Sequence, residues 1–183
     1  MALLSPPTRL ARGLGLLFIL GNAIAVGAEG VDEYQVKAAF LYNFARFVEW
    51  PARTFKAPNE PMAICVLGQD PFGRWLEDTV NGKTVAEREL VIRHISDASK
   101  ATSCKILFVS SSERRRLRTV LAGVRACGIL TVGETGSFTS EGGMINFTLE
   151  EGRVRFEVNL EAAEQEGLRI SSKVLSLARA VKK

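Results

Sequence analysis

The chain has 183 residues, 46% of them apolar, with 24 Lys and Arg against 20 Asp and Glu and a formal net charge of +4. That length suits one domain of ordinary size with a real core, and so small a positive excess gives no footing for nucleic-acid binding. Three cysteines and one histidine leave little from which to build a metal site or a histidine-dependent catalytic centre.

Residues 1–28 have the three zones of a cleavable secretory signal. Arg9 and Arg12 supply the positive start, and Leu14-Gly15-Leu16-Leu17-Phe18-Ile19-Leu20 supplies the apolar centre. Ala23-Ile24-Ala25 and Val26-Gly27-Ala28 offer small residues to a signal peptidase; cleavage is expected after Ala28, because Glu29 opens a polar segment. The alternative is a retained membrane anchor, but the apolar stretch is shorter than the roughly 20 residues that span a bilayer. No cysteine near the cleavage site invites a lipid anchor, and no paired arginines precede the apolar centre, which points to the general export route. Processing would leave a single domain over 29–183. Arg9 and Arg12 leave with the signal, so half of the positive excess goes with them. No later stretch approaches spanning length, so a soluble domain in a periplasm is expected. In that oxidising compartment two of Cys65, Cys104 and Cys127 are expected to pair. Three pairings are open, and one thiol is left over. There is no Cys-x-x-Cys and His94 stands alone, so neither metal nor cofactor is expected.

In residues 33–50, Val36, Phe40, Phe44 and Phe47 recur at steps of four, four and three, which predicts a helix. Asp32 can cap it and Pro51 stops it after Trp50. Pro58 and Pro61 mark a loop. Met62-Ala63-Ile64-Cys65-Val66-Leu67-Gly68 reads as a buried strand. A short helix is expected around Trp75 and Leu76, then a turn at Asn81-Gly82 and a more polar strand region over 83–93. Residues 105–109 form another buried strand. Ser110-x-x-Glu113 resembles a capping box for a helix with Leu117, Val120, Leu121 and Val124 inside. Residues 128–133 make a further strand. Ile145, Phe147 and Leu149, then Val154, Phe156 and Val158, alternate about Glu150-Glu151-Gly152 and predict an antiparallel hairpin. Val174, Leu177, Ala178 and Val181 have helical spacing after Ser171 or Ser172. The fold class is therefore α/β: a mixed parallel and antiparallel sheet flanked by helices, with a C-terminal hairpin and a final helix.

No strong catalytic motif is present: there is no phosphate-binding Walker loop and no Gly-x-Ser-x-Gly elbow. No catalytic residue is assigned. Gly133-Glu134-Thr135-Gly136-Ser137-Phe138 follows a strand, so Gly133, Gly136 and Ser137 are candidate ligand contacts, against the plainer role of a redirecting loop. Arg114, Arg115, Arg116 and Arg118 crowd the first turns of a helix, where cations oppose the dipole. They form a solvated face or a contact for acidic lipid or an acidic partner. Phe40, Phe44 and Phe47 are core or line a small pocket. Tyr42 on the opposite face and Trp50 at the flank suit a surface contact.

Two long segments carry a resemblance. Residues 34–44 (Tyr-Gln-Val-Lys-Ala-Ala-Phe-Leu-Tyr-Asn-Phe) and Val48-Glu49-Trp50-Pro51 are similar to the opening of the mature YfiR/HmsC-type periplasmic proteins. Residues 142–147, 153–160 with Ala162-Ala163, and 167–175 resemble their late strands and closing segment. The resemblance implies a mixed sheet flanked by helices, often dimeric. It also implies a repressor and no enzyme: a protein that binds the periplasmic sensor region of an inner-membrane diguanylate cyclase and holds it inactive, limiting cyclic di-GMP and biofilm formation. An outer-membrane lipoprotein that sequesters the repressor is a further implied partner. One family disulfide corresponds to Cys65 with Cys104. A second, in the late strand region, has no counterpart, since residues 138–152 hold no cysteine. Cys127 is then expected to be a buried thiol. Contact with the partner is expected from the first helix and the closing segment, through Tyr42, Trp50, Leu168, Ile170 and Leu175. The rival readings are a small-ligand sensor or solute-binding protein, and an exported hydrolase using scattered carboxylates.

Overall fold

The computed structural model describes residues 33–182; the expected signal and the Asp32 cap lie outside them. Helix α1 (Glu33–Phe47) buries Lys37, Ala38, Leu41, Phe44 and Ala45. The buried stripe is rotated from the Phe spacing read in the sequence, because the small Ala38 and Ala45 permit the closest approach to the sheet. Phe40 and Phe47 are left half-buried at its rim. The helix ends three residues early, since Val48–Glu49 leaves it as strand β1.

The next strand, β2 (Met62–Leu67), is buried throughout. Met62, Ile64 and Val66 face one core, and Ala63, Cys65 and Leu67 face the other, as side-chain alternation requires of a strand covered on both sides. Helix α2 (Arg74–Val80) follows. The polar region expected as one strand is a hairpin: β3 (Thr84–Val85) and β4 (Arg88–Ile95) pair antiparallel around Ala86-Glu87. Both turn residues have positive φ, 49° and 63°, which a tight two-residue turn demands and which residue type did not signal. Beyond it lie β5 (Ile106–Val109), α3 (Leu117–Gly123), β6 (Leu130–Gly133), β7 (Ile145–Glu150) and β8 (Arg153–Asn159). The chain closes through α4 (Leu160–Gln165), β9 (Arg169–Ile170), α5 (Ser172–Leu175) and β10 (Ala180–Lys182).

Eight strands form one sheet in the order β10-β8-β7-β6-β5-β2-β4-β3, while β1 and β9 pair apart. Strands β4, β2, β5, β6 and β7 run parallel, and β8 turns back antiparallel to β7. The sheet is mixed, as expected, and the predicted hairpin is present with Ile145, Phe147 and Leu149 opposite Val158, Phe156 and Val154. The final helix is a single turn. Val181, expected on it, instead pairs with Val158 in β10, parallel to β8. Short helices are marginal, and the open edge of β8 gives these backbone groups partners that overrule the helical spacing.

The main core lies under α1, α2 and α5 and holds Phe44, Phe72, Phe108, Phe147 and Phe156. A second core lies under α3 and contains Cys65, Cys104, Leu107, Leu121 and Phe138.

Candidate functional site

Leu149, Leu177 and Val181 are the large apolar side chains left exposed among the described residues, at 56%, 63% and 36%. Leu177 and Val181 lie by the open edge of the sheet, and Leu149 stands toward the turn end of β7. Leu149 opposes Val154, and Val181 opposes Val158, so they share the sheet face of Phe147 and Phe156. Leu177 follows α5 and closes a cavity of about 160 Å³ with Phe40, Phe44, Phe47, Phe156 and Val174. Its walls are the rim of α1 and the hairpin; Phe40 meets Phe156 edge-on, with centroids 5.2 Å apart. Arg46 and Lys173 sit 5.0 and 5.1 Å from the Phe47 ring centroid. Neither has an ion pair among the described residues. Beside the slot, β10 is the sheet's edge, with Ala180, Val181 and Lys182 all exposed. An apolar slot, a cationic rim and an open strand edge suit a polypeptide segment better than a small molecule.

The carboxyl ends of the parallel strands carry a buried ionic cluster. Lys37 is 4% exposed and meets Glu134 at 2.7 Å and Glu33 at 2.5 Å. Glu134 also accepts from the Tyr34 hydroxyl and the Ser111 amide. Burial alone would lower the Lys37 pKa; the hydrogen bonds to Glu134 and Glu33 outweigh it and hold it above the ordinary lysine value. Burial and Glu134 together raise the Tyr34 hydroxyl. The strand order reverses between β2 and β5, where α/β proteins commonly place ligands, and a crevice of about 390 Å³ opens there between Gln69–Pro71 and Ser110–Ser112. Its amide donors are spent inside the protein: Gln69 N–H on Ser112, Ser112 N–H on Ser110, Ser111 N–H on Glu134. With Asp70 at its lip, the crevice is a poor anion site.

Gly133 is the last residue of β6, and a Cβ there would meet Cδ2 of Phe138 at 2.2 Å; one on Gly143 would meet Cδ1 at the same distance. The Gly133–Phe138 loop thus sandwiches its own phenylalanine, which accounts for Gly133 by packing. Gly136 is exposed, and Ser137 is half-buried with its carbonyl bonded to Ser140 and Glu141. His94 bonds Asp70 at 2.8 Å on the surface. The capping-box pattern is half realised: Ser110 caps the turn over Ser111–Arg116, while Glu113 turns inward and pairs with Arg116 at 2.6 Å.

Cys65 and Cys104 form a disulfide with Cα atoms 5.8 Å apart. Cys127 is exposed, contrary to expectation. It stands in the tight turn before β6, between Ala126 and Gly128, whose φ values of 59° and 65° throw its side chain outward from the core. Of the expected contact residues, Tyr42, Trp50 and Leu175 lie half-buried at the surface, whereas Leu168 and Ile170 are in the core at 0% and 8% exposure. Ile170 pairs with Val48, so these two anchor β9 to the end of α1. The sequence reading missed Leu149 and the exposed placement of Leu177 and Val181. Their alternation and spacing look like core, and only the sheet order leaves them uncovered.

No helix among the described residues is long and apolar enough to cross a membrane, and no group of His, Cys, Asp or Glu among them is arranged to hold a metal. A solved structure of the ABC domain in complex with L-Trp from Streptococcus pneumonia is similar, with TM-score 0.50, 12% identity and coverage of 66% of this chain and 55% of that one. A conserved domain protein from Vibrio cholerae gives TM-score 0.49, 14% identity and coverage of 66% and 54%. The chain spans little more than half the length of either, and the first likeness concerns the fold alone. The sequence profile of a family described as YfiR/HmsC-like matches residues 34–179, from the start of α1 to the approach of β10. With most of the chain matched in this way, the protein belongs to the YfiR/HmsC-like family.

Proposed function

We propose that the protein is a periplasmic negative regulator that binds the periplasmic sensor region of an inner-membrane diguanylate cyclase and favours its inactive state. The family's members are periplasmic regulators of cyclic di-GMP signalling, which sets the class. The observation that carries the binding reading is the corner at α1, α5 and β10. Beside the apolar slot, Leu177 and Val181 leave further apolar surface open to water. A partner segment with an apolar side chain in the Phe40–Phe47 slot and a carboxylate near Arg46 or Lys173 would cover them. Of the residues expected from sequence, Leu175 belongs to α5 beside this surface, Leu168 and Ile170 would act by fixing the backbone that leads to it, and Tyr42 faces away from it toward Trp75 and Lys83. Inhibition needs no chemistry. A ligand that prefers the inactive cyclase shifts the equilibrium by its difference in affinity, and about a hundredfold preference corresponds to roughly 2.7 kcal/mol.

Deleting the gene in its own host tests this reading. Cyclic di-GMP and surface attachment rise, and a copy carrying Leu177→Asp does not restore the low level although the variant accumulates normally. Unchanged cyclic di-GMP in the deletion strain would refute it.

A further inference from the structure

The outward side of α3 and the turn before it carries a cluster of arginines. Arg114, Arg115, Arg118 and Arg125 are all exposed. The segment buries Leu117, Val120, Leu121 and Val124 and leaves these arginines outward; Arg118 reaches Glu141 and the Arg125 guanidinium lies beside the adjacent Gly142, so those two adjoin. Among the described residues Arg114, Arg115 and Arg125 have no ion pair. Arg118 reaches Glu141 at 3.4 Å while remaining 87% exposed, and Arg116 is tied to Glu113. Lys100 extends the face from the neighbouring turn over Ala98–Ser103. Arg118 lies in the first turn of α3, where a cation opposes the helix dipole, so helix stability does not explain it.

We propose that this arginine face binds an anionic lipid surface. A bilayer is favoured over an acidic protein by what the face lacks. Protein interfaces are built around aromatic or aliphatic anchors. The exposed large apolar residues among those described are Leu149, Leu177 and Val181, and none is on this face. Headgroup binding needs charge and guanidinium donors alone. The proposal is independent of any cyclase partner and adds a second contact: a regulator of a membrane protein held at the membrane searches in two dimensions.

Co-sedimentation of the purified exported protein with vesicles tests it. The protein pellets with vesicles of mixed phosphatidylglycerol and phosphatidylcholine and stays in the supernatant with phosphatidylcholine alone. Binding is lost at about 1 M salt, where the Debye length is about 3 Å. Arg114→Ala and Arg115→Ala each weaken it about fivefold, the effect of roughly 1 kcal/mol per basic residue near an anionic surface. Arg153→Glu with Arg155→Glu, on the exposed side of β8, leaves it intact. Thermal midpoints matching wild type show that the variants fold, and Arg114→Gln with Arg115→Gln replaces any that does not. Equal pelleting with neutral vesicles, no pelleting with anionic ones, or arginine variants that bind like wild type would each overturn the proposal, as would capture by an acidic protein without vesicle binding.

Discussion

Lys37 shows how a single charge is kept inside this protein. It lies between Glu33 and Glu134, with its ammonium 4.4 Å from the Tyr34 ring centroid. Removing one carboxylate leaves a buried cation half-compensated. Glu134→Gln is expected to lower stability by about 2–3 kcal/mol, read from urea midpoints, with Glu33 limiting the loss. The sign of the pH dependence follows from the raised Lys37 pKa. Its contribution is complete below the unfolded lysine value of about 10.4 and is lost as pH rises through the higher folded value. At the acid end Glu60 acts oppositely. Burial would raise its pKa, but hydrogen bonds from the Lys56 amide and the Lys105 ammonium win and lower it. That contribution holds above about pH 4.3 and is lost as pH falls through the lower folded value. Urea midpoints measured across pH should therefore show a plateau between the two ranges, and Glu134→Gln should flatten its alkaline end. Gly133 makes a separate prediction. Gly133→Ala drives a Cβ into Phe138 and should cost about 1–3 kcal/mol by overpacking, whereas Gly136→Ala, with open space around it, should cost little.

Elements built on local pattern were legible, and those built on distant pairing were not. Strand β2 announces itself as a continuous apolar run, and the β7–β8 hairpin by strict alternation. By contrast β10 exists only because β8 has an open edge, so Val181 carries a helical spacing that the sheet overrides. The β3–β4 turn is hidden for another reason: Ala86 and Glu87 adopt left-handed backbone without glycine. Replacing Ala86-Glu87 by Asn-Gly should raise stability by about 1 kcal/mol, measured by denaturation, since the strain of positive φ disappears. The disulfide ties β2 to the segment entering β5 across 39 residues. Breaking it with Cys65→Ala and Cys104→Ala should cost about 3–4 kcal/mol in the chain-entropy account, with the fold retained because both positions sit in a packed core. The candidate site was half legible for the same reason as the fold. Tyr42 and Trp50 are recognisable amphipathic side chains, but Leu177 and Val181 are left uncovered only because the sheet ends beside them, and Leu149 because it stands near the tip of the hairpin.

On the scale of the whole molecule, the two sides of the sheet differ in purpose. The α3 side ends outward in arginines, and the α1 side ends at an uncovered apolar corner next to a free strand. A regulator that met its partner through the corner would need no catalytic centre, which accords with the family's regulatory role. Reconstitution gives the most direct measurement. An inner-membrane diguanylate cyclase of the same host is placed in vesicles with its sensor region outward and the cyclic di-GMP it produces is followed while purified protein is added to the outside. The account predicts saturable inhibition, abolished by Leu177→Asp with Val181→Asp, two exposed positions whose substitution leaves the thermal midpoint unchanged. Full cyclase activity at saturating protein, or equal inhibition by the doubly substituted variant, would contradict it.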